Sequence, residues 1–80
     1  MRAKKHLQKL FEEYSHRLME YECLSLASKA ETRRAELAGN ETEAEYYRSE
    51  MRRLYDLRQL CVQIIDDLES FVLKNIKILE

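Results

Sequence analysis

Apolar residues recur at helical spacing along nearly the whole chain, and the phase of that recurrence changes once. Projected at about 100° per residue, Leu7, Leu10, Phe11, Tyr14, Leu18 and Tyr21 fall in one compact stripe, the mark of an amphipathic helix. Met19, Cys23, Leu26, Ala30 and Leu37 form a second stripe of the same arm, displaced by roughly 120–180°. The drift expected of a supercoil, ~20° per heptad, does not produce such a change. The pattern therefore predicts either a bend or break near Ser25 to Ser28, or an arm whose two halves face different neighbours.

The second arm behaves differently. Ala44, Tyr47, Met51, Leu54, Cys61, Ile65, Leu68, Val72, Ile76 and Leu79 keep a single stripe along its length. From Leu57 onward that stripe has a shoulder, because Leu57, Leu60, Ile64, Phe71 and Ile78 widen the apolar face well past the ~100° that a helix buries in a globular core. One facing helix does not cover such a face. Left exposed it invites aggregation, so the pattern predicts a further helix, most cheaply from a second copy of the chain, the alternative being that the face is the groove for a partner protein's helix.

Between the arms stands the chain's only glycine. Gly39 suits the left-handed conformation that closes a helix, and Thr42-Glu43-Ala44-Glu45 has the form of a capping box that opens the next one. The prediction is a single all-α domain: helix 3–38, turn 39–41, helix 42–79. It folds as a helical hairpin, an antiparallel coiled coil. Near the turn, Ala27, Ala30, Ala35 and Ala38 are expected to face Ala44, Tyr47 and Met51. At the terminal halves, Leu57, Leu60, Ile64, Leu68, Phe71, Val72 and Ile78 are expected to join Leu7, Phe11, Tyr14 and Leu18 in a homodimeric four-helix core.

Composition narrows this further. Eighty residues bury only a modest core, and chains of this size often depend on cross-links, metal or self-association. The absence of proline and the abundance of Ala, Leu, Glu, Lys and Arg favour helix throughout. Fourteen basic residues against fifteen acidic ones argue against a surface built wholly for nucleic acid or anionic lipid. The basic start, Met1 to His6, leads into a segment carrying Glu12 and Glu13 rather than the apolar core of a secretion signal, and no apolar run is long enough to span a bilayer. A cytoplasmic protein is expected, with Cys23 and Cys61 as reduced thiols in the core, although a turn near residue 40 also brings them to similar heights on the hairpin.

Candidate chemistry changes the picture little. Glu13 and His16 have the Glu-x-x-His spacing of helical di-metal sites, with Asp66 and Asp67 across the hairpin, but both lie far around the helix from the Tyr14 stripe and so point away from the core. No metal or cofactor is expected. Arg33, Arg34, Arg48, Arg52 and Arg53, interleaved with Tyr46, Tyr47 and Tyr55, have the makings of a nucleic-acid patch, yet Glu31, Glu36, Glu41, Glu43, Glu45, Glu50 and Asp56 lie among them as helix-surface partners. Tyr46 and Tyr47 are adjacent and do not both enter the core, which makes Tyr46, with Arg48 and Arg52, the candidate exposed anchor for a protein. Arg2, Lys4, Lys5 and Lys9 near Leu7, Leu10 and Phe11 have the form of a lipid-surface helix, but as the wet rim of the terminal core they imply no membrane role. Asn40-Glu41-Thr42 fits a glycosylation sequon, which in a cytoplasmic chain is only a turn. No nucleophile has an evident base and oxyanion site. The expectation is a non-enzymatic protein-interaction module, an adaptor, small chaperone or co-chaperone, or inhibitor, acting on a protein partner as a homo-oligomer. A small helical-bundle nucleic-acid-binding regulator is the alternative.

Overall fold

A computed structural model describes residues 2–79 of the chain, and the side chains of residues 4–77. Helix α1 spans Arg2–Leu37, α2 spans Glu41–Lys74, and a single turn of helix, α3, spans Ile76–Leu79. The two long helices pack side by side as a hairpin 59 × 16 × 12 Å in extent.

The turn is tighter than the capping pattern predicts. Gly39 has φ 72, the left-handed conformation that lacks a Cβ penalty only for glycine. The Asn40 N–H donates to the Ala35 carbonyl at 2.9 Å and the Gly39 N–H to the Glu36 carbonyl at 3.0 Å, which together form a Schellman motif. Asn40 then serves the next helix as well. Its side-chain oxygen accepts the Glu43 N–H at 3.1 Å, and its amide donates to the Glu43 carboxylate at 3.0 Å. Asn40, not Thr42, is therefore the N-cap of α2. An Asx side chain caps at least as well as threonine, and one residue that closes α1 and opens α2 lets the helix begin at Glu41.

The far end of α2 departs from expectation too. At Asn75 the backbone N–H donates to the carbonyls of Phe71 and Val72 at 3.1 and 3.2 Å, while the side-chain amide also donates to Phe71 at 2.8 Å. An asparagine side chain that competes for these carbonyls interrupts the helix, so the second arm is not one helix to residue 79.

α1 runs unbroken through residues 25–28, so the change of phase in its sequence is not a helix break. Its inward positions form one heptad series: Leu7, Phe11, Tyr14, Leu18, Tyr21, Ser25, Ser28, Thr32 and Ala35 are buried or half-buried. Facing them, Ala44, Tyr47, Met51, Leu54, Arg58, Cys61, Ile65, Leu68 and Val72 form the matching series on α2. The chemistry of the seam changes along its length. Near the turn α1 contributes only small or hydroxylated side chains, and the Thr32 hydroxyl donates to the Ser28 carbonyl at 2.8 Å with the Met51 sulfur at 3.8 Å. Arg58 occupies a seam position and donates across to Glu22 at 3.2 Å. Among the described large side chains, only Leu54, 2% exposed, is close to fully enclosed.

Two expectations are corrected by this seam. Ala27, Ala30 and Ala38 are exposed and only Ala35 of the four alanines packs against α2. Cys23 is exposed as well, whereas Cys61 is buried, and both are free thiols. The tight turn fixes the register and a continuous helix preserves its phase, so residues in phase with Tyr14 face α2 over the whole arm.

Candidate interaction faces

Around the turn the side chains form a closed set of ion pairs. Arg48 donates to Glu36 of α1 at 2.8 Å, to Glu41 at 2.7 Å and to Glu45 at 3.3 Å. Arg52 bonds Glu45 at 2.8 Å and the Ser49 hydroxyl at 3.0 Å. Arg34 bonds Glu31 at 2.9 Å and also reaches Glu43 across the turn, and Arg53 bonds Glu50 at 2.8 Å. The hydrogen bonds from Arg52 and then Arg48 hold the Glu45 carboxyl below its usual range. Glutamates hold three guanidiniums above theirs: Glu41 and Glu36 for Arg48, Glu31 and Glu43 for Arg34, Glu50 for Arg53.

This network decides what the anchor residues can do. Tyr46 is exposed, as its adjacency to Tyr47 predicts, with the two rings edge to face at 5.1 Å between centroids. Arg48, by contrast, is half-buried and bonded to three glutamates, whereas Arg52 is exposed and bonded through one guanidinium nitrogen to Glu45 and the Ser49 hydroxyl. Binding a phosphate or an acidic partner there requires those pairs to be broken first. Of the three, Tyr46 and Arg52 are presented outward and Arg48 is not.

The terminal halves have no such closure. Leu7, Phe11, Tyr14, Leu18, Leu68 and Val72 lie half-buried in the hairpin's own seam. Leu57 and Ile64 flank that seam half-buried, while Leu60 is 61% exposed and Phe71 49% exposed. Leu7, Ile64, Asp67, Leu68 and Phe71 line an open hollow of about 340 Å³ on this flank. Ile78 lies outside the described side chains. Leu73 and Ile76 are also exposed, at 73% and 47%, and extend the apolar surface toward the C-terminus. Periodicity places Ile76 in the seam; the interruption at Asn75 turns it out. Leu73 has no periodic partner, and nothing in the pattern singles it out.

The chain as a whole exposes 6348 Å². A compact monomer of 9.7 kDa exposes about 5,100 Å². The rod therefore carries roughly 1,200 Å² more surface than a globule of its mass, and much of its large apolar side-chain area lies on it.

The remaining candidates stay apart. Glu13 pairs with Arg17 at 2.7 Å and His16 with Glu20 at 3.0 Å, both on the exposed surface of α1, while Asp66 and Asp67 are exposed on α2. Among the described residues no group of three His, Cys, Asp or Glu side chains is placed to hold a metal ion. Lys4, Lys5 and Lys9 are exposed beside Leu7 and Leu10; Arg2 is outside the described side chains. No helix among the described residues is long and apolar enough to cross a membrane. Comparison of the chain with family models, with curated proteins and with solved structures finds no match.

Proposed function

We propose that this protein is a non-enzymatic interaction module of the cytoplasm, a helical hairpin that pairs with a second copy through its terminal halves. As that four-helix unit it engages a further protein, in the manner of an adaptor, a small chaperone or co-chaperone, or an inhibitor. The observation that carries the proposal is the uncovered flank of Leu57, Leu60, Ile64 and Phe71 beside a seam whose own large residues are only half-buried. Two such flanks brought together by a twofold axis convert half-buried leucines into a core. The nucleic-acid alternative has less support, because Arg34, Arg48, Arg52 and Arg53 are each bonded to glutamate within the hairpin.

Mass measurement of the purified protein tests the pairing. The expected value is at least twice the 9.7 kDa of one chain, with Phe71→Glu lowering the mass by removing the terminal contact. A wild-type protein that sediments as a monomer at all concentrations overturns it.

A further inference from the structure

Over residues 19–37 the first helix is built inside out. Its seam side offers α2 only Tyr21, Ser25, Ser28, Thr32 and Ala35, whereas Met19 (64% exposed), Leu26 (69%) and Leu37 (90%) stand on the opposite side with Cys23 and Ala30. These outward residues run Met19, Cys23, Leu26 and Ala30 with the four-three alternation of a helix-pairing seam, which the charged Arg33 interrupts before Leu37. A surface helix of a lone hairpin has no use for a second seam. It lies on the far side of α1 from α2, so neither the hairpin nor the terminal four-helix contact covers it.

The charges beside this seam identify what fits it. Toward the N-terminal side acids outnumber bases, Glu12, Glu13, Glu20 and Glu22 against Arg17; toward the C-terminal side Lys29, Arg33 and Arg34 outnumber Glu31 and Glu36, with Glu22 and Arg34 also bonded to Arg58 and Glu43 of α2. A surface with acid at one end and base at the other complements itself when a copy is laid against it head to tail. Parallel pairing instead sets Arg33 against Arg33 of the second copy within the seam, and Lys29 beside Arg34, so like charges meet. In the antiparallel register that sets Cys23 level with Leu26 of the second copy, Met19 lies over the small Ala30 and Lys29 comes alongside Glu20 and Glu22. On this face His16, Met19, Glu20, Cys23 and Leu24 line a shallow hollow of about 440 Å³. In that register Leu26 of the second copy is the knob that enters it.

We propose that the outer face of α1, centred on Met19, Cys23, Leu26 and Ala30, is a second self-association surface that pairs antiparallel with the same face of another copy, with Arg33 and Leu37 lying over His16 and Glu12 of that copy. The contact is short, with two polar layers at each end, so it belongs to the weak, concentration-dependent class of interfaces. It is independent of the terminal pairing and, acting with it, links hairpins into open chains, since two different twofold contacts on one rod do not close on themselves unless their axes happen to intersect suitably.

Sedimentation over a hundredfold range of concentration tests the proposal, with Leu26→Glu and Phe71→Glu as separate probes. Leu26 is exposed, so its substitution leaves the hairpin fold intact, which far-ultraviolet circular dichroism checks. The wild-type mass is expected to rise beyond a dimer with concentration and to fall back with salt. Leu26→Glu is expected to stop growth at the terminal dimer, and Phe71→Glu to leave a dimer held by the outer seam. Under mild oxidation Leu26→Cys is expected to cross-link to Cys23 of the second copy, whereas Leu37→Cys combined with Cys23→Ser is not. A wild-type mass fixed at one dimer and unchanged by Leu26→Glu overturns the outer seam while leaving the terminal pairing standing, and assigns that face to a different occupant. A growing mass that Leu26→Glu does not limit overturns it also, and ready cross-linking of Leu37→Cys to itself overturns the antiparallel register. If Leu26→Glu abolishes all association while Phe71→Glu abolishes none, the terminal pairing fails and the outer seam stands.

Discussion

Truncating two leucines of α2 to alanine distinguishes a self-sufficient hairpin from one completed by a second copy. Leu54 is 2% exposed in the single chain, so Leu54→Ala removes a side chain that is already enclosed. The cost expected for such a truncation is about 2–5 kcal/mol, including the cavity left behind. Leu68 is only half-buried in the hairpin. In a lone hairpin its truncation forfeits about half of the ~1.5–3 kcal/mol that full burial of a leucine contributes, and the gap opens to water rather than forming a cavity. Leu68→Ala should then cost ~0.75–1.5 kcal/mol, clearly less than Leu54→Ala. In the terminal four-helix core Leu68 is enclosed, and its truncation costs ~2–5 kcal/mol as well. In a domain of this size each 1 kcal/mol moves the melting temperature by about 4–8 °C, so the two cases separate in a thermal melt followed by circular dichroism. The melts are run over a hundredfold range of protein concentration, because association makes the midpoint rise with concentration. The expected result is a concentration-dependent midpoint and losses for Leu68→Ala that match or exceed those for Leu54→Ala. A midpoint independent of concentration, with Leu68→Ala the milder change throughout, refutes the terminal core.

Other outcomes follow from local features. Asn40→Ala removes the cap shared by both helices and should cost about 0.5–2 kcal/mol in denaturant titration, whereas Thr42→Ala, inside the first turn of α2, should stay within about 0.5 kcal/mol of wild type. Gly39→Ala should cost ~1–2 kcal/mol from its left-handed backbone alone, since nothing lies within 4 Å of an added Cβ. Glu45 is held below the ordinary glutamate value of 4.5, first by Arg52 and then by Arg48. A carboxyl depressed in the folded state stabilises it above that ordinary value and loses this contribution as pH falls through the depressed one. Arg52→Gln should therefore lower the melting temperature near neutral pH, and the difference from wild type should narrow on acidification; a difference that does not narrow as pH falls below the ordinary glutamate range contradicts the assignment. Thiol labelling of native protein should modify Cys23 rapidly and Cys61 only on unfolding, in line with their exposure.

The hairpin was legible because its evidence is local. Gly39 in the middle of the chain and the unbroken series from Tyr47 to Val72 each depend on a few neighbouring residues, and the structure keeps both. The cap was misplaced from Asn40 to Thr42 because both precede a glutamate at the required spacing. The choice between them depends on how Asn40 also closes α1, which involves two helices at once. The seam of α1 near the turn was not legible from apolar periodicity, since Ser25, Ser28 and Thr32 continue the phase of Leu7 to Tyr21 without continuing its hydrophobicity. A search for leucine-like residues at those positions finds Met19, Cys23 and Leu26 instead, which are on the wrong side. Periodicity reports where apolar side chains are, but the turn decides which face meets α2.

That distinction bears on why the chain places small polar groups inside and leucines outside over the same stretch. Small side chains at Ser25, Ser28 and Ala35 let the helices run close while Tyr47, Met51 and Leu54 of α2 fill the seam from one side only. The inner contact then needs little apolar matter from α1, and the ion pairs of Arg34, Arg48 and Arg58 bridge the two helices around it. Each exposed pair contributes only about 0–1 kcal/mol, so the turn half holds its shape chiefly through its capped reversal and the enclosed Leu54. Large apolar residues on the outside of such a half add nothing to the fold of one chain. Replacing Leu26 or Leu37 by glutamate in Phe71→Glu, diluted until the outer-seam dimer has dissociated, should accordingly change the stability of the hairpin by no more than about 0.5 kcal/mol. A larger loss would mean that the outer stripe supports the hairpin itself and needs no external occupant.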